Sequence, residues 1–369
     1  MTTSKYPTVS VEEKIEQHKK FLERENRDRP LIGLISGWEN ITRYVTDTEK
    51  FFPKGDMKIE DLYFNRFLPM YRNYAQTLNK TDAIFNTITP LPFFPWSEAA
   101  MGCSIQYTGK NFWSKPMAHL KKTEDREAWI QTLSMELKFS RENQKPWLSL
   151  YGDFIKDLTD LFSESFPVSQ TILRGPLDIA AAVLGDENMI YLFFDEPELM
   201  KKLLSVAADL YMEFIKIQES HIAPFFNGKV IGQYGIWTPG SNLRHQEDAM
   251  ALLSPDLYRE FVHPHDCTIA ACTPYCLFHL HSSGMHLLDI LLENENIRIF
   301  QVSKDEGVDI ETILPGVKKI QERERCLIVK GRFRKHEAEV LRKVCSPKGF
   351  CIQAVVVNEK EADDFCSVF

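Results

Sequence analysis

Eight short apolar runs, separated by amphipathic stretches long enough to be helices, are the feature that most restricts what this chain can become. They are LIGLIS (31–36), DAIFNTI (82–88), VSQTILR (168–174), VIGQYGI (230–236), CLFHLHS (276–282), IRIFQVS (297–303), CLIVKG (326–331) and FCIQAVVV (350–357). Apolar runs bounded by turn residues suit strands buried on both faces, as in a parallel sheet. The clearest helix is residues 195–221, where Leu199, Leu203, Leu210, Phe214 and Ile217 form one stripe and Asp195, Pro197 and Glu198 mark the start. Ser254 and Pro255 open another as N-cap and first helical residue. Eight strands alternating with helices predict an α/β fold of the (β/α)8 TIM-barrel type, with an N-terminal helical extension and a long second βα loop. No repeat, low-complexity tract or linker divides residues 1–369, so one domain is expected.

In such a barrel, chemistry sits at the C-terminal ends of the strands. Reading the end of each run and the loop after it gives Glu98 and Cys103 in the second loop, then Arg174, then Tyr234, Trp237 and Arg244. His281, Ser282 and Ser283 follow, then Asp305, then Lys330 and Arg332. The stretch FHLHSSGMH (278–286) holds three of the ten histidines. His279 and His281 share one face of an extended strand. His281 lies nearer the mouth, whereas His279 reads as a hydrogen-bonded core histidine. His263, His265 and His286 read as structural or solvated. Glu98, between Pro-Trp and Ala-Ala-Met-Gly, has little reason to serve as a solubility charge.

A net charge of -8 and the lack of any Lys/Arg stripe argue against a nucleic-acid partner. The N-terminal residues MTTSKYPTVSVEEKIEQHKK lack the apolar segment of a signal peptide, and no run reaches the length of a membrane span. The eight cysteines show no CxxC spacing, so buried thiols or isolated ligands are expected, and a cytoplasmic location with them.

Several segments together resemble the uroporphyrinogen decarboxylase superfamily, in its methyltransferase-like branch. They are PFFPWSEAAMGCSI (92–105), ILRGPLDIAAAVLGDENM (172–189), DEPELMKKLL (195–204), LLSPDLYREFVHPH (252–265), FHLHSSG (278–284) and FQVSKDEGVDIETILPGVKKIQ (300–321). The resemblance implies a (β/α)8 barrel, in agreement with the strand count. The decarboxylases themselves carry an arginine-rich N-terminal segment that binds a polycarboxylate, and here the first strand reads RPLIGLISGWENITRY. Arg43 is the one arginine near its end, so the eight carboxylates of uroporphyrinogen would be poorly neutralised.

For the methyltransferase branch the resemblance implies zinc on a His-x-Cys pair and a later cysteine. Here Ser283 stands in the place of that cysteine, and Cys351 lies near the place of the last one. A protonated serine is a poor zinc ligand, so an oxygen-rich set is expected, with His281 joined by Glu98, Glu247, Asp248, Glu260 or Asp305. The implied activity moves a methyl group from a small methylated donor to a corrinoid carried on a partner protein. His281, Glu98, Asp305 and Arg174 would do the chemistry, and Tyr234 and Trp237 would wall the pocket. Arg174 and Arg244 would orient an anionic donor, with Ser283 also lining the site. A homodimer is compatible with this. Two alternatives stay open: a metal-free lyase binding a carboxylated substrate through Arg174 and Lys330, and a ligand-binding barrel without catalysis.

Overall fold

The computed structural model describes residues 9–36, 55–77, 83–109, 111–117 and 125–369. Its strands are β1 (Leu31–Ser36), β2 (Gly55–Met57), β3 (Ser104–Tyr107), β4 (Phe112–Lys115), β5 (Lys229–Ile231), β6 (Ile236–Thr238), β7 (Asn242–Gln246), β8 (Tyr275–Leu280), β9 (Ile297–Lys304), β10 (Cys326–Gly331) and β11 (Phe350–Val356). Six of them form one parallel sheet in the order β1-β11-β10-β9-β8-β7. Helices Leu288–Glu293, Ile310–Glu322 and Lys335–Val344 make the crossovers from β8 through β11. A parallel neighbour cannot be reached by a tight turn, so each crossover lays a helix on the sheet. Among the described residues no helix is long and apolar enough to cross a membrane.

The structure corrects the strand count. Residues 230–236 are not one strand of the parallel sheet: β5 and β6 pair with each other antiparallel, joined by a turn in which Gln233 and Gly235 take positive φ of 69° and 62°. The strand that joins the sheet there is β7, whose sequence NLRHQ carries no apolar run. Residues 83–88 and 168–174 lie outside the six-stranded sheet and meet at a single parallel bridge, Ile88 to Val168. Residue 82 falls outside the described residues. The amide of Ser169 donates to the Ile88 carbonyl (2.9 Å), and that of Gly175 to the Gln246 carbonyl (3.1 Å). Gly33 of β1 sits so near Ile84 that a Cβ would come within 3.0 Å of it. Among the described residues the two segments therefore follow strand order without completing an eight-stranded ladder.

Side chains alternate between two cores. Leu31, Leu277, Ile299, Ile328 and Cys351 pack with Ile231, Tyr234 and Ile236 on the inward face. Phe278, Phe300, Leu327, Val329 and Ile352 join the helix layer outside. The β5–β6 hairpin precedes β7 and so plugs the N-terminal end of the sheet. The helix Val11–Leu22, held by a Ser10–Glu13 capping box, packs beneath it. His18 ties the two: its Nε2 donates to the Ala83 carbonyl (2.6 Å), and its Nδ1 accepts from the Trp237 amide (2.7 Å). Burial drives its pKa down to about 4, so it holds both bonds as a neutral ring. At the opposite end, the second loop carries the short helix Trp96–Ala100 and the antiparallel pair β3–β4, to which β2 adds.

The turn at Gly235 tests the plug. Its positive φ disfavours any side chain, and a Cβ there would lie 2.2 Å from the Phe85 carbonyl oxygen. Gly235→Ala is expected to cost about 2 kcal/mol or more, read as a lower urea midpoint with helical circular dichroism retained.

Candidate active site

The parallel sheet gathers the polar groups at one end. His279 lies on β8 with His281 just beyond its end, both facing inward. Gln301 lies on β9 and Asp305 just after it, and Asp248 follows β7. Asp305 Oδ1 accepts from His281 Nδ1 (2.6 Å), while Oδ2 accepts from the amide (3.2 Å) and hydroxyl (2.9 Å) of Ser282. The bond to Asp305 raises the His281 pKa above its usual range against the effect of burial. Burial would raise that of Asp305, but His281 and Ser282 hold it below the ordinary value.

His279 is locked differently. The Gln301 side-chain oxygen accepts from the Tyr234 hydroxyl (2.7 Å) and from His279 Nδ1, and the Gln301 amide nitrogen donates to Ser303 Oγ (3.3 Å). An amide oxygen only accepts, so the His279 proton is on Nδ1 and Nε2 carries a lone pair. Burial, then Arg244 and His281, hold the His279 pKa well below its usual value. His279 Nε2 faces His281 Nε2 at 3.0 Å. With both Nδ1 protons committed, the two Nε2 lone pairs would repel unless a proton or a metal ion lies between them. Asp248 Oδ1 is 3.9 Å from His281 Nε2, and the three ligand atoms fall within 4.8 Å of one another.

Glu98 and Arg174 form a second part of the site. Glu98 is 1% exposed in its short helix and sits 3.2 Å from Arg174 Nε, whose side chain is half exposed. Burial pushes the Glu98 carboxyl upward and Arg174 opposes it. Burial lowers the Arg174 pKa, but the negative charges of Glu98, Asp178 and Asp248 together hold it above its usual value. Asp178 is a member the sequence reading lacked. It accepts from the Ala249 amide (2.7 Å), and burial and then Asp248 raise its pKa.

Inward of the histidines lie Tyr234, Arg244 and Lys330. Arg244 pairs in register with Leu277 and so faces the inner core. Lys330 Nζ is 4.9 Å from the Tyr234 ring centroid and Arg244 Cζ is 5.9 Å from it. Burial, then Arg244, bring the Lys330 pKa down to about 7.

Other expected residues lie elsewhere. Trp237 packs with Ile15, Phe85 and Val230 under the plug, its indole donating to the Phe225 carbonyl (2.9 Å). Ser283 is exposed, and its carbonyl accepts from His286 (3.1 Å); the serine that reaches Asp305 is Ser282. Cys351 lies in the inner core, in register with Leu31 and Ile328, and is not among the groups around His281. Cys103, pushed up to about 12 mainly by burial, stays a thiol against the Ala182 carbonyl. Glu260 pairs with Lys201 (3.2 Å), and Glu247 accepts from the Leu177 and Asp178 amides at the start of the helix Pro176–Leu184. Arg332 pairs with Glu361 (2.8 Å), and Arg43 lies outside the described residues.

No family model matches the chain, and no curated protein matches it by sequence. Among solved structures it is similar in fold to a methyltransferase from Methanosarcina mazei, with a TM-score of 0.59 and 12% identity over 96% of this chain and 97% of that one.

The depressed Lys330 pKa has a signed consequence. Unfolded, this lysine takes its proton near pH ~10.4, but folded near 7, so between those values the unfolded state binds more protons and stability rises with pH. The cost is complete below about pH 7 and gone above ~10.4. Lys330→Met is expected to remove a slope of up to about 1.4 kcal/mol per pH unit from urea unfolding measured between pH 7 and 10.

Proposed function

We propose that this protein is a methyltransferase of the uroporphyrinogen decarboxylase superfamily, a (β/α)8 barrel by ancestry, moving a methyl group from a small donor to a corrinoid on a partner protein in the cytoplasm. The observation that carries the reading is the pair of facing Nε2 atoms at 3.0 Å, each imidazole fixed by an acceptor on its Nδ1 side. That is the outer-shell arrangement of metal-bound histidines. The fold likeness to a methyltransferase and the segments that resemble the superfamily support the same direction.

The donors fit zinc: His279 Nε2, His281 Nε2 and an Asp248 oxygen would hold it, a nitrogen-and-oxygen set with a fourth position open. His281 and Asp248 belong to the set expected from sequence, and His279 joins them, whereas Glu98 is engaged with Arg174 and Cys351 lies in the core. Bound there, zinc would supply Lewis acidity to the oxygen or nitrogen that the methyl group leaves. The chain's own residues do the rest. Asp305 keeps the His281 proton on Nδ1, and Ser282 holds Asp305 in place. Glu98, with its raised pKa, is the group suited to return a proton to the demethylated donor, and Arg174 steadies its charge.

One observation favours a second reading. Arg244 and Lys330, both buried, suit a carboxylated substrate, as a metal-free lyase would require.

Added zinc should raise the melting temperature of the wild-type protein by mass action, and His281→Ala and His279→Ala should each abolish the rise while leaving circular dichroism unchanged. Equal zinc stabilisation of all three proteins overturns the ligand set, and no response in the wild type transfers the assignment to the lyase. Methyl transfer is read directly, as conversion of cob(I)alamin to methylcobalamin in the absorption spectrum with methylated donors.

A further inference from the structure

We propose that the closed end of this pocket, at Arg244 and Lys330, is a subsite for an organic oxyanion, the carboxylate or sulfonate head of the substrate. The inference rests on the pocket being a substrate site, as read above, and adds which end of the substrate enters first.

Arg244 is 3% exposed and Lys330 7%. The Arg244 Nε and Nη1 atoms are buried without an acceptor, and the hydrogen bond of Lys330 is a long one, 3.4 Å to the Gln233 carbonyl. Two other screened lysines are treated differently. Lys304 pairs with Glu337 (3.2 Å) and Lys229 with Glu219 (2.9 Å). Among the described residues neither Arg244 nor Lys330 has such a carboxylate. The Tyr234 ring gives both cations a cation–π contact, but a ring face cannot satisfy the fork of guanidinium N–H groups. A buried cation left in this state is costly unless an anion arrives. An oxyanion supplies acceptors that match the guanidinium and a charge that holds Lys330 protonated.

The position orients the substrate. Tyr234 rises from the plug to Gln301, which is bonded to His279, so the cations lie inward and His281 and Asp305 lie toward the mouth. An anionic head drawn inward leaves the opposite end, with its transferable methyl group, beside the two Nε2 atoms and open to a second macromolecule.

Calorimetry and thermal unfolding on metal-free protein at constant ionic strength test this, with methoxyacetate and methanesulfonate as probes and methoxyacetamide as the uncharged control. At least one anion is expected to bind the wild type saturably and the amide not. Arg244→Met and Lys330→Met are expected to raise the Kd of that anion tenfold or more, while their ligand-free melting temperatures stay equal to or above the wild type's. Binding of the amide as tight as that of the acid, no binding of either anion, or unchanged affinity in both variants overturns the subsite. If a variant does not fold, the acid-against-amide comparison on the wild type still decides. Neither zinc nor a corrinoid enters the assay, so its outcome is separate from that of the methyltransferase reading. Methyl transfer from uncharged donors with no anion binding would keep that reading and remove the subsite.

Discussion

The site hangs on one amide oxygen. Gln301 is fully buried, and its carbonyl takes protons from Tyr234 and His279 together. Because it can only accept, it forces the His279 proton to the far side of the ring and leaves Nε2 bare toward His281. Asp305 does the same for His281 from the other flank. Neither histidine can relieve the contact by changing tautomer without losing the acceptor at its Nδ1, which for His279 is the fully buried Gln301. The site is therefore built to hold a positive species between two imidazoles, and its geometry is set before any ligand enters.

That amide is tied to distant parts of the chain. Tyr234 comes from the hairpin plug, the plug is bonded through the Trp237 amide to His18, and His18 is bonded to the Ala83 carbonyl. The N-terminal helix thus anchors the floor of a pocket whose mouth is built by loops after β7, β8 and β9. Parallel strands make this economical. Their C-terminal ends all point one way, so Asp248, His281 and Asp305 meet although sequence separates them.

Much of this was legible in the sequence, and the failures have physical causes. β1, β8, β9, β10 and β11 are mostly apolar, with at most a few polar residues each, and read as runs. β7 did not, because its residues face partners that bond to them and so carry no hydrophobic signal. The run at 230–236 looked like a strand because Val230, Ile231 and Ile236 are core residues, yet two positive-φ positions turn the chain back on itself. Tyr234 stands near the end of that run in the sequence, yet it reaches His279 and Gln301 from below. His281, Asp305, Glu98 and Arg174 were readable from their places after apolar runs. The His279 role was hidden, because period-2 alternation shows which way a side chain points and not which of its nitrogens is free. Trp237 and Cys351 are apolar in effect, and burial accounts for both.

β7 shows why fold and site cannot be separated here. All five of its residues are buried. Outward, His245 bonds Asp266 (2.8 Å), whose second oxygen accepts from the Tyr258 hydroxyl. Just beyond the strand, Glu247 accepts two amides at a helix start, in a space that exists because residue 175 is glycine: a Cβ there would lie 2.3 Å from the Glu247 carboxylate. Asn242 donates to Thr238 (2.8 Å), and Gln246 to Asp248 (2.8 Å). A strand this polar stays in a core because its side chains are satisfied one by one. Arg244 is the departure, a guanidinium with two bare nitrogens on a strand that otherwise settles its polar groups. Folding alone would favour an apolar residue there, so the arginine is where stability is given up for what enters the pocket.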